Sequence, residues 1–309
     1  MTVDPTSSDP IRDPDHTPRG LRRRGLFHRL RHPPPIVPVV RLYGAIGRAG
    51  PLRGGLALSG LAPVLERAFA VKRAPAVALA INSPGGSPVQ SALIAARIRE
   101  LAQEKDKRVF AFVEDVAASG GYWLAAAADE IYVDAASIVG SIGVVSAGFG
   151  FHEAIARYGI ERRVHTAGER KAILDPFRPE REEDLALLRE IQASVHELFK
   201  AHVRARRGAK LAGEEDELFS GAFWTGERGV ALGLADGLGH LRPILRERYG
   251  ARVRARVVGA ERGWLRRRLR MDGPAWPPAG AELDAWAEAA AGGALGALEE
   301  RALWQRVGL

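Results

Sequence analysis

Ser119 and Lys171 are the residues of this chain whose side chains could together carry out nucleophilic catalysis. Ser119 stands directly before two glycines and the Ala-rich segment 122–128, a pattern that predicts a turn opening a buried helix. A serine hydroxyl attacks a carbonyl only when a base accepts its proton. Serine is also a favoured residue at the start of a helix, where it caps free backbone N–H groups. From these residues alone, nucleophile and helix cap both remain open for Ser119.

A lysine can act as the base where a His-Asp pair is missing. His152 and His165 carry no signature that links them to Ser119, and the sequence around Ser119 lacks the GxSxG pattern of α/β-hydrolases. Of the 45 basic residues only six are lysines, and Lys171 lies in a loop with glycine and proline. Burial in an apolar pocket lowers the pKa of a lysine by several units, whereas arginine never deprotonates. The competing interpretation of Lys171 is an exposed ammonium paired with a nearby carboxylate.

Glycine-bearing turns follow three short apolar segments of the chain. The turns are Asn82 to Ser87, Ala118 to Tyr122 and Val139 to Gly143. Ligand sites of parallel sheets lie at the carboxyl ends of the strands, so the three turns predict one shared site. Glycine pairs at 85–86 and 120–121 let backbone amides approach a ligand closely, and two amides facing one point would form an oxyanion hole.

Hydrophobic periodicity predicts alternating strands and helices, which is typical of a parallel sheet covered by helices. The predicted strands are Ile36 to Ile46, Ala76 to Ile81, Arg108 to Val113, Glu130 to Asp134, Ile160 to Thr166 and Ala251 to Val258. The predicted helices are Leu58 to Val71, Ser87 to Gln103, Phe151 to Tyr158 and Glu180 to Arg206.

Composition excludes several kinds of chemistry. The chain has 309 residues and no cysteine, which rules out disulfides, thiolate catalysis and iron–sulfur clusters. The eight histidines form no HExxH pair, so we predict neither a metal site nor a cofactor.

The net charge of +8 comes mainly from two arginine-rich stretches, Arg19 to Arg31 and Arg242 to Arg270. No nucleic-acid-binding module accompanies them, so we expect no nucleic-acid partner. The N-terminal stretch is a candidate for peripheral contact with an anionic membrane surface. Because the sequence shows neither a signal-peptide pattern nor a run of eighteen apolar residues, we expect a cytoplasmic protein, with peripheral attachment to the inner membrane left open.

Several motifs in this order resemble the signal peptide peptidase A family of Ser-Lys peptidases, in its half-length form. The resemblance covers roughly residues 36 to 258 and implies the Clp protease/crotonase-like α/β fold of repeated β-β-α units. The motifs are INSPGG (Ile81 to Gly86), VAASGGYWLAAAADEIYVD (Val116 to Asp134), VGSIGVV (Val139 to Val145), AGERKAILDPF (Ala167 to Phe177) and WTGERGVALGLADGLG (Trp224 to Gly239).

The resemblance implies a role for each matching residue. Ser119 corresponds to the nucleophile, Lys171 to the general base, and the amides of Gly86 and Gly120 to the oxyanion hole. Ser141 corresponds to a hydroxyl that holds the lysine amine. The implied reaction is peptide hydrolysis through an acyl-enzyme, on signal-peptide remnants or other small unfolded peptides. The implied assembly is a homo-oligomeric ring with the active site near a subunit boundary.

The sequence further predicts three regions: a disordered Arg/Pro-rich tail (1–35), a catalytic domain (36–258) and a C-terminal helical extension (259–309). A crotonase-like acyl-CoA enzyme is one alternative, since that fold also uses paired amides as an oxyanion hole. A non-catalytic scaffold on a membrane surface, acting through the arginine-rich stretches, is the other. An assay that compares peptide hydrolysis with acyl-CoA thioester turnover distinguishes the two enzymes. Salt-sensitive binding to liposomes that persists after loss of Ser119 would support the scaffold.

Overall fold

A computed structural model describes residues 34–47, 55–168, 170–259 and 301–307. Within these ranges an eight-stranded sheet is packed between helices. The strands are β1 (Ile36–Tyr43), β2 (Ala76–Ser83), β3 (Arg108–Ala118), β4 (Glu130–Val133), β5 (Ile138–Gly140), β6 (Phe223–Thr225), β7 (Gly237–Leu238) and β8 (Arg254–Val257). The α-helices are α1 (Leu58–Phe69), α2 (Pro88–Glu104), α3 (Gly120–Ala126), α4 (His152–Arg157), α5 (Glu182–Arg207), α6 (Glu215–Leu218), α7 (Gly226–Ala231) and α8 (Leu241–Tyr249).

The sheet is parallel except at one end. Its order is β6-β5-β3-β2-β1-β8, and only β5 and β6 run antiparallel among the described strands. β3 is long enough to pair with two short strands in turn: its first half pairs with β4 and its second half with β5. Strands that alternate with helices and run parallel confirm the predicted α/β class.

The central strands are buried on both faces. In β1, Val40 and Leu42 belong to the larger core under α1, α2 and α3, whereas Val37 and Val39 face a second cluster that includes Leu245 of α8. All apolar residues of β2 are buried. Because β2 is covered on both faces, its sequence is a continuous apolar run that does not alternate with polar residues.

The sequence explains why helices α2 and α5 form where they do. α2 begins after Ser87, whose side chain accepts a hydrogen bond from the Gln90 amide, and Pro88 occupies the first helical position. α5 carries acidic residues in its first turn and arginines in its last turn, which complements the helix dipole. Phe199 of α5 stacks on Trp123 of α3 with ring centroids 4.7 Å apart, so α5 holds α3 against the sheet.

The predicted strand Ile160 to Thr166 is wrong. This segment has no regular secondary structure and is mostly exposed, because none of the strand edges in the described ranges lies beside it. It belongs to a protruding stretch, residues 144–168 and 170–181, which we call the arm. Phe149, Phe151 and Phe177 pack on one another within the arm. Other predicted elements of the catalytic region are present, with ends shifted by a few residues.

The three-region division stays a prediction. Most of the proposed tail (1–35) and most of the proposed extension (259–309) lie outside the described residues. Residues 301–305 are helical and are followed by a turn. In the described part of the chain, every helix is too short or too polar to cross a lipid bilayer.

Candidate active site

The carboxyl ends of β2, β3 and β5 lie next to one another in the sheet. Ser83 at the end of β2 pairs with Ala117, and Ala118 at the end of β3 pairs with Gly140. The turns that follow these strands contain Gly86, Ser119 and Ser141. The structure therefore brings together the three glycine-bearing turns singled out in the sequence, at the edge where parallel sheets hold ligands.

Ser119 has a strained backbone and does not cap α3. Its φ of 52° and ψ of −122° lie in a region that residues with a side chain rarely occupy, and its hydroxyl makes no capping hydrogen bond. Such a conformation costs about 1–3 kcal/mol and persists only where neighbouring interactions impose it. Here the Ser119 amide donates to the Gly140 carbonyl at 2.9 Å, and the Ser119 carbonyl accepts from the Trp123 amide at 3.0 Å. The capping interpretation of Ser119 is therefore wrong.

The amides of Gly86 and Gly120 lie beside each other near this serine. The Gly85 carbonyl accepts from the Ile46 amide and the Ser87 amide donates to the Ile46 carbonyl, both at 2.8 Å, so among the described residues this bridge does not use the Gly86 N–H. Gly120 is the first residue of α3, where a backbone N–H has no acceptor within its own helix. A Cβ added to Gly120 would lie 3.4 Å from the Gly86 nitrogen.

Glycine is required at position 86 for steric reasons. Gly86 has a φ of +139°, and a Cβ there would overlap the Ile46 carbonyl oxygen. A Cβ on Gly120 would lie 2.4 Å from the Ser91 hydroxyl oxygen, so that the Ser91 side chain would have to move.

Ser119 and Ser141 line one cavity of about 680 Å³. Ser141 also has a positive φ of 52°, and its amide donates to the Ala222 carbonyl at 2.7 Å. His196, on α5, lines the same cavity and places its Nε2 2.9 Å from the Ile142 carbonyl oxygen, which ties α5 to the turn that holds Ser141. The sequence analysis missed His196. It lies one helical turn before the buried Phe199, and this spacing could have placed it on the inner face of α5.

Lys171 does not line this cavity. It lies in the arm as an exposed residue, and its amide donates to the Gly168 carbonyl at 3.2 Å. The nearby carboxylate of Asp175 accepts hydrogen bonds from Arg162 and from the Phe177 amide. The Phe177 amide and the Arg162 guanidinium hold the pKa of Asp175 below its ordinary value. Within one described chain, the structure therefore does not bring Lys171 to the cavity of Ser119.

Two polar residues of the motifs, Tyr122 and Asn82, have structural roles. The Tyr122 hydroxyl is fully buried and donates to the Leu234 carbonyl at 2.9 Å, and burial raises the pKa of this phenol. The Asn82 side chain bonds to Asp115 and accepts from the Val116 amide, which supports an irregular step in β3. Among the described residues, no group of three or more His, Asp or Glu side chains is placed to hold a metal ion.

His202 fixes α3 from the side of α5 and should make stability depend on pH. It stacks on Trp123 and its Nε2 lies 3.0 Å from the Trp123 carbonyl oxygen. Burial lowers the pKa of His202 from its ordinary 6.5 to about 4. The unfolded chain therefore takes up a proton at this histidine before the folded chain does, and the free energy of unfolding falls as pH drops from 6.5 towards 4.

We expect this histidine to contribute a loss of about 2 kcal/mol in the free energy of unfolding between pH 7 and pH 5. Urea denaturation at both pH values measures it, and the loss should be absent in His202→Gln. His240→Gln is the matched control, because the His240 side chain is exposed. An identical pH dependence in wild type and His202→Gln would contradict the prediction.

A largely parallel sheet with helices on both faces and glycine turns at its carboxyl edge defines an α/β protein with a ligand site at that edge. Residues 101–249 match the family described as Peptidase family S49, and this range includes Ser119, Ser141 and Lys171. The chloroplastic serine protease SPPA of Arabidopsis thaliana is 30% identical over 213 residues, which cover 66% of this chain and 31% of that protein. The probable protease SohB of Haemophilus influenzae is 32% identical over 160 residues, 52% of this chain and 44% of SohB. These matches confirm the predicted resemblance to the signal peptide peptidase A family.

Another relative has a different name. The Na(+)/H(+) antiporter NhaA of Brucella abortus is 51% identical over 294 residues, which are 94% of this chain and 39% of that protein. The chain thus spans well under two thirds of the length of the relatives it matches. Among solved structures, the membrane-bound stomatin-specific protease 1510-N, a lysine mutant in complex with a substrate peptide, aligns with a TM-score of 0.46 and 13% identity. That alignment covers 74% of this chain and 94% of the other.

Proposed function

We propose that this protein is a serine endopeptidase in which Ser119 is the nucleophile. The observation that carries the proposal is the backbone of Ser119, held at a positive φ at the end of β3 beside the amides of Gly86 and Gly120. Strain at a residue with a side chain is common at catalytic positions, because it directs a reactive group away from its own helix. The match to a peptidase family supports the same function.

The proposed reaction is acyl transfer to Ser119 followed by hydrolysis. A neutral lysine amine, that of Lys171, accepts the hydroxyl proton while the serine oxygen attacks the peptide carbonyl. The Gly86 and Gly120 amides donate to the oxygen that gains negative charge. The protonated lysine then gives its proton to the leaving amine, and water releases the acyl group. Ser141, in the same cavity, would accept from the lysine amine and hold it in position.

We infer that Lys171 reaches Ser119 from a neighbouring copy of the chain in a homo-oligomeric ring. The arm that carries Lys171 exposes large apolar side chains, including Phe149 (81% exposed) and Ile160 (59%). Exposed apolar groups of this size are typical of surfaces that contact another protein. A second copy that covers the arm would also exclude water from around its lysine.

The proposed substrates are signal-peptide remnants or other small unfolded peptides. To be attacked by Ser119, a peptide bond must enter this open cavity, and a bond within a folded domain cannot do so. The lining of this cavity includes the apolar residues Val144, Val145 and Phe223, which would contact apolar substrate side chains.

Covalent labelling tests the proposed nucleophile. We expect a fluorophosphonate probe to modify the full-length protein at Ser119, identified by mass spectrometry of the digested protein. Labelling should disappear in Ser119→Ala and persist in Ser59→Ala, a matched control at an exposed serine of α1. A protein that hydrolyses peptides while the probe reacts elsewhere, or not at all, would contradict the assignment.

A further inference from the structure

The described C-terminal segment, residues 301–307, packs beside the candidate nucleophile. Val307 is only 7% exposed and joins a small apolar cluster with Val116 and Ala118 of β3. Trp304 and Ile138 pack against the same cluster. Because Ala118 directly precedes Ser119, the end of this chain is anchored next to the proposed reaction centre. The segment belongs to the C-terminal helical extension predicted from the sequence, which no motif connected with the site.

This segment also forms one wall of the cavity that contains Ser119. Leu303, Arg306 and Val307 line it together with Ser119 and Ser141. Arg306 is the one Lys or Arg in that lining, and the described lining contains no Asp or Glu. A cavity with a guanidinium and no carboxylate has a positive potential, which favours a negatively charged group of a ligand.

We propose that Arg306 determines specificity by binding a carboxylate of the peptide substrate. This inference rests on the proposed peptidase function for the identity of the ligand as a peptide. A guanidinium presents paired N–H donors that match both oxygens of a carboxylate, which gives direction as well as charge. The apolar anchor at Val307 places the backbone of the neighbouring Arg306 at the cavity, and the Arg306 side chain is exposed at its edge.

The carboxylate can come from an Asp or Glu side chain of the substrate or from the free C-terminus of a short peptide. Both sources present the same two oxygens to Arg306, and matched peptides separate them. One set carries Glu, Gln or Lys at successive positions of an otherwise neutral unstructured peptide. A second set compares the free C-terminal acid with the C-terminal amide.

The experiment measures equilibrium binding of fluorescent peptides to full-length Ser119→Ala, so that no peptide is consumed. We expect an acidic peptide to bind about tenfold more tightly than its neutral counterpart, the effect of one partly exposed charge-assisted hydrogen-bonded pair. The difference should shrink as salt is raised. The preference for the acidic peptide should disappear when Arg306→Ala is added. When Arg306→Glu is added, the peptide with Lys should bind more tightly than the peptide with Glu.

Arg301→Glu is the matched control, because Arg301 lies in the same described segment, is exposed and does not line the cavity. It should leave the acid preference unchanged. Equal binding of acidic and neutral peptides, absence of binding, or a preference that survives Arg306→Glu would each overturn the proposal. If the wild type hydrolyses no peptide while the Arg306-dependent preference persists, the peptidase proposal fails and the role of Arg306 stands.

Discussion

Ser119→Ala and Lys171→Arg should each reduce peptide hydrolysis to the background rate while the protein stays folded. Removing a nucleophile or its base costs about 10⁴–10⁶-fold in kcat, because neither works without the other. Lys171→Arg keeps the positive charge but removes the only protonation change that the mechanism uses. Hydrolysis of an unstructured fluorogenic peptide, with circular dichroism as the check on folding, measures both variants.

If the base comes from a neighbouring copy, mixing the two inactive variants should restore activity. After subunits are exchanged in an equimolar mixture, about a quarter of the boundaries combine an intact Ser119 with an intact Lys171, since each interface draws its subunits independently. We therefore expect about a quarter of the wild-type rate. Lys105→Arg and Ser59→Ala, exposed positions outside the cavity, are the controls and should keep full activity.

The possible outcomes of mixing separate the two arrangements. No recovery after verified subunit exchange would place both groups in one chain or remove Lys171 from the mechanism. Full activity of either single variant would contradict the dyad itself. Ser141→Ala, by contrast, should lower the rate without abolishing it, because a positioning hydroxyl does not touch the reacting carbonyl.

The second large effect concerns stability. Arg207, with a side chain 1% exposed, pairs with Asp236 at 2.6 Å and donates twice to the Gly233 carbonyl. Burial alone would raise the pKa of Asp236, but hydrogen bonds from Arg207 and Lys210 lower it below its ordinary value. Arg207→Met would remove both hydrogen bonds to the Gly233 carbonyl and leave Asp236 with only Lys210 and the Ile131 amide as donors.

We expect Arg207→Met to reduce the free energy of unfolding by about 3–5 kcal/mol, the usual cost of removing one partner of a buried ion pair. The midpoint of thermal unfolding should fall by about 10 °C for a domain of this size. Arg204→Met is a control on the same helix, where a more exposed pair with Glu215 should contribute under about 1 kcal/mol. Equal losses in both variants, measured by urea denaturation, would contradict the role assigned to Arg207.

Part of the site at the carboxyl edge of the sheet could be predicted from local sequence. Glycine-bearing turns after apolar segments predicted that Gly86, Ser119 and Ser141 lie near one another, because parallel strands end at a common edge. The same reasoning could not separate a capping serine from a strained one. That distinction depends on φ at Ser119, which is imposed by the hydrogen bond that its amide donates to the Gly140 carbonyl and by the one that its carbonyl accepts from the Trp123 amide.

The structure of the arm could not be predicted from local sequence. The segment from Ile160 to Thr166 was predicted as a strand, yet a strand forms only where a partner edge is available. The described chain offers none there, so the segment and Lys171 are exposed. Whether a second copy covers the arm is the question that the mixing experiment answers.

By itself, the sequence determined the α/β class, the order of most strands and helices, and the family resemblance, because these depend on periodicity, turn residues and motifs that are local in the chain. Only the tertiary structure decided that His196 and Arg306 lie at the cavity of Ser119 and that Lys171, in one described chain, does not. Such contacts join residues far apart in the sequence. They follow from how whole elements pack, and no local pattern encodes that packing.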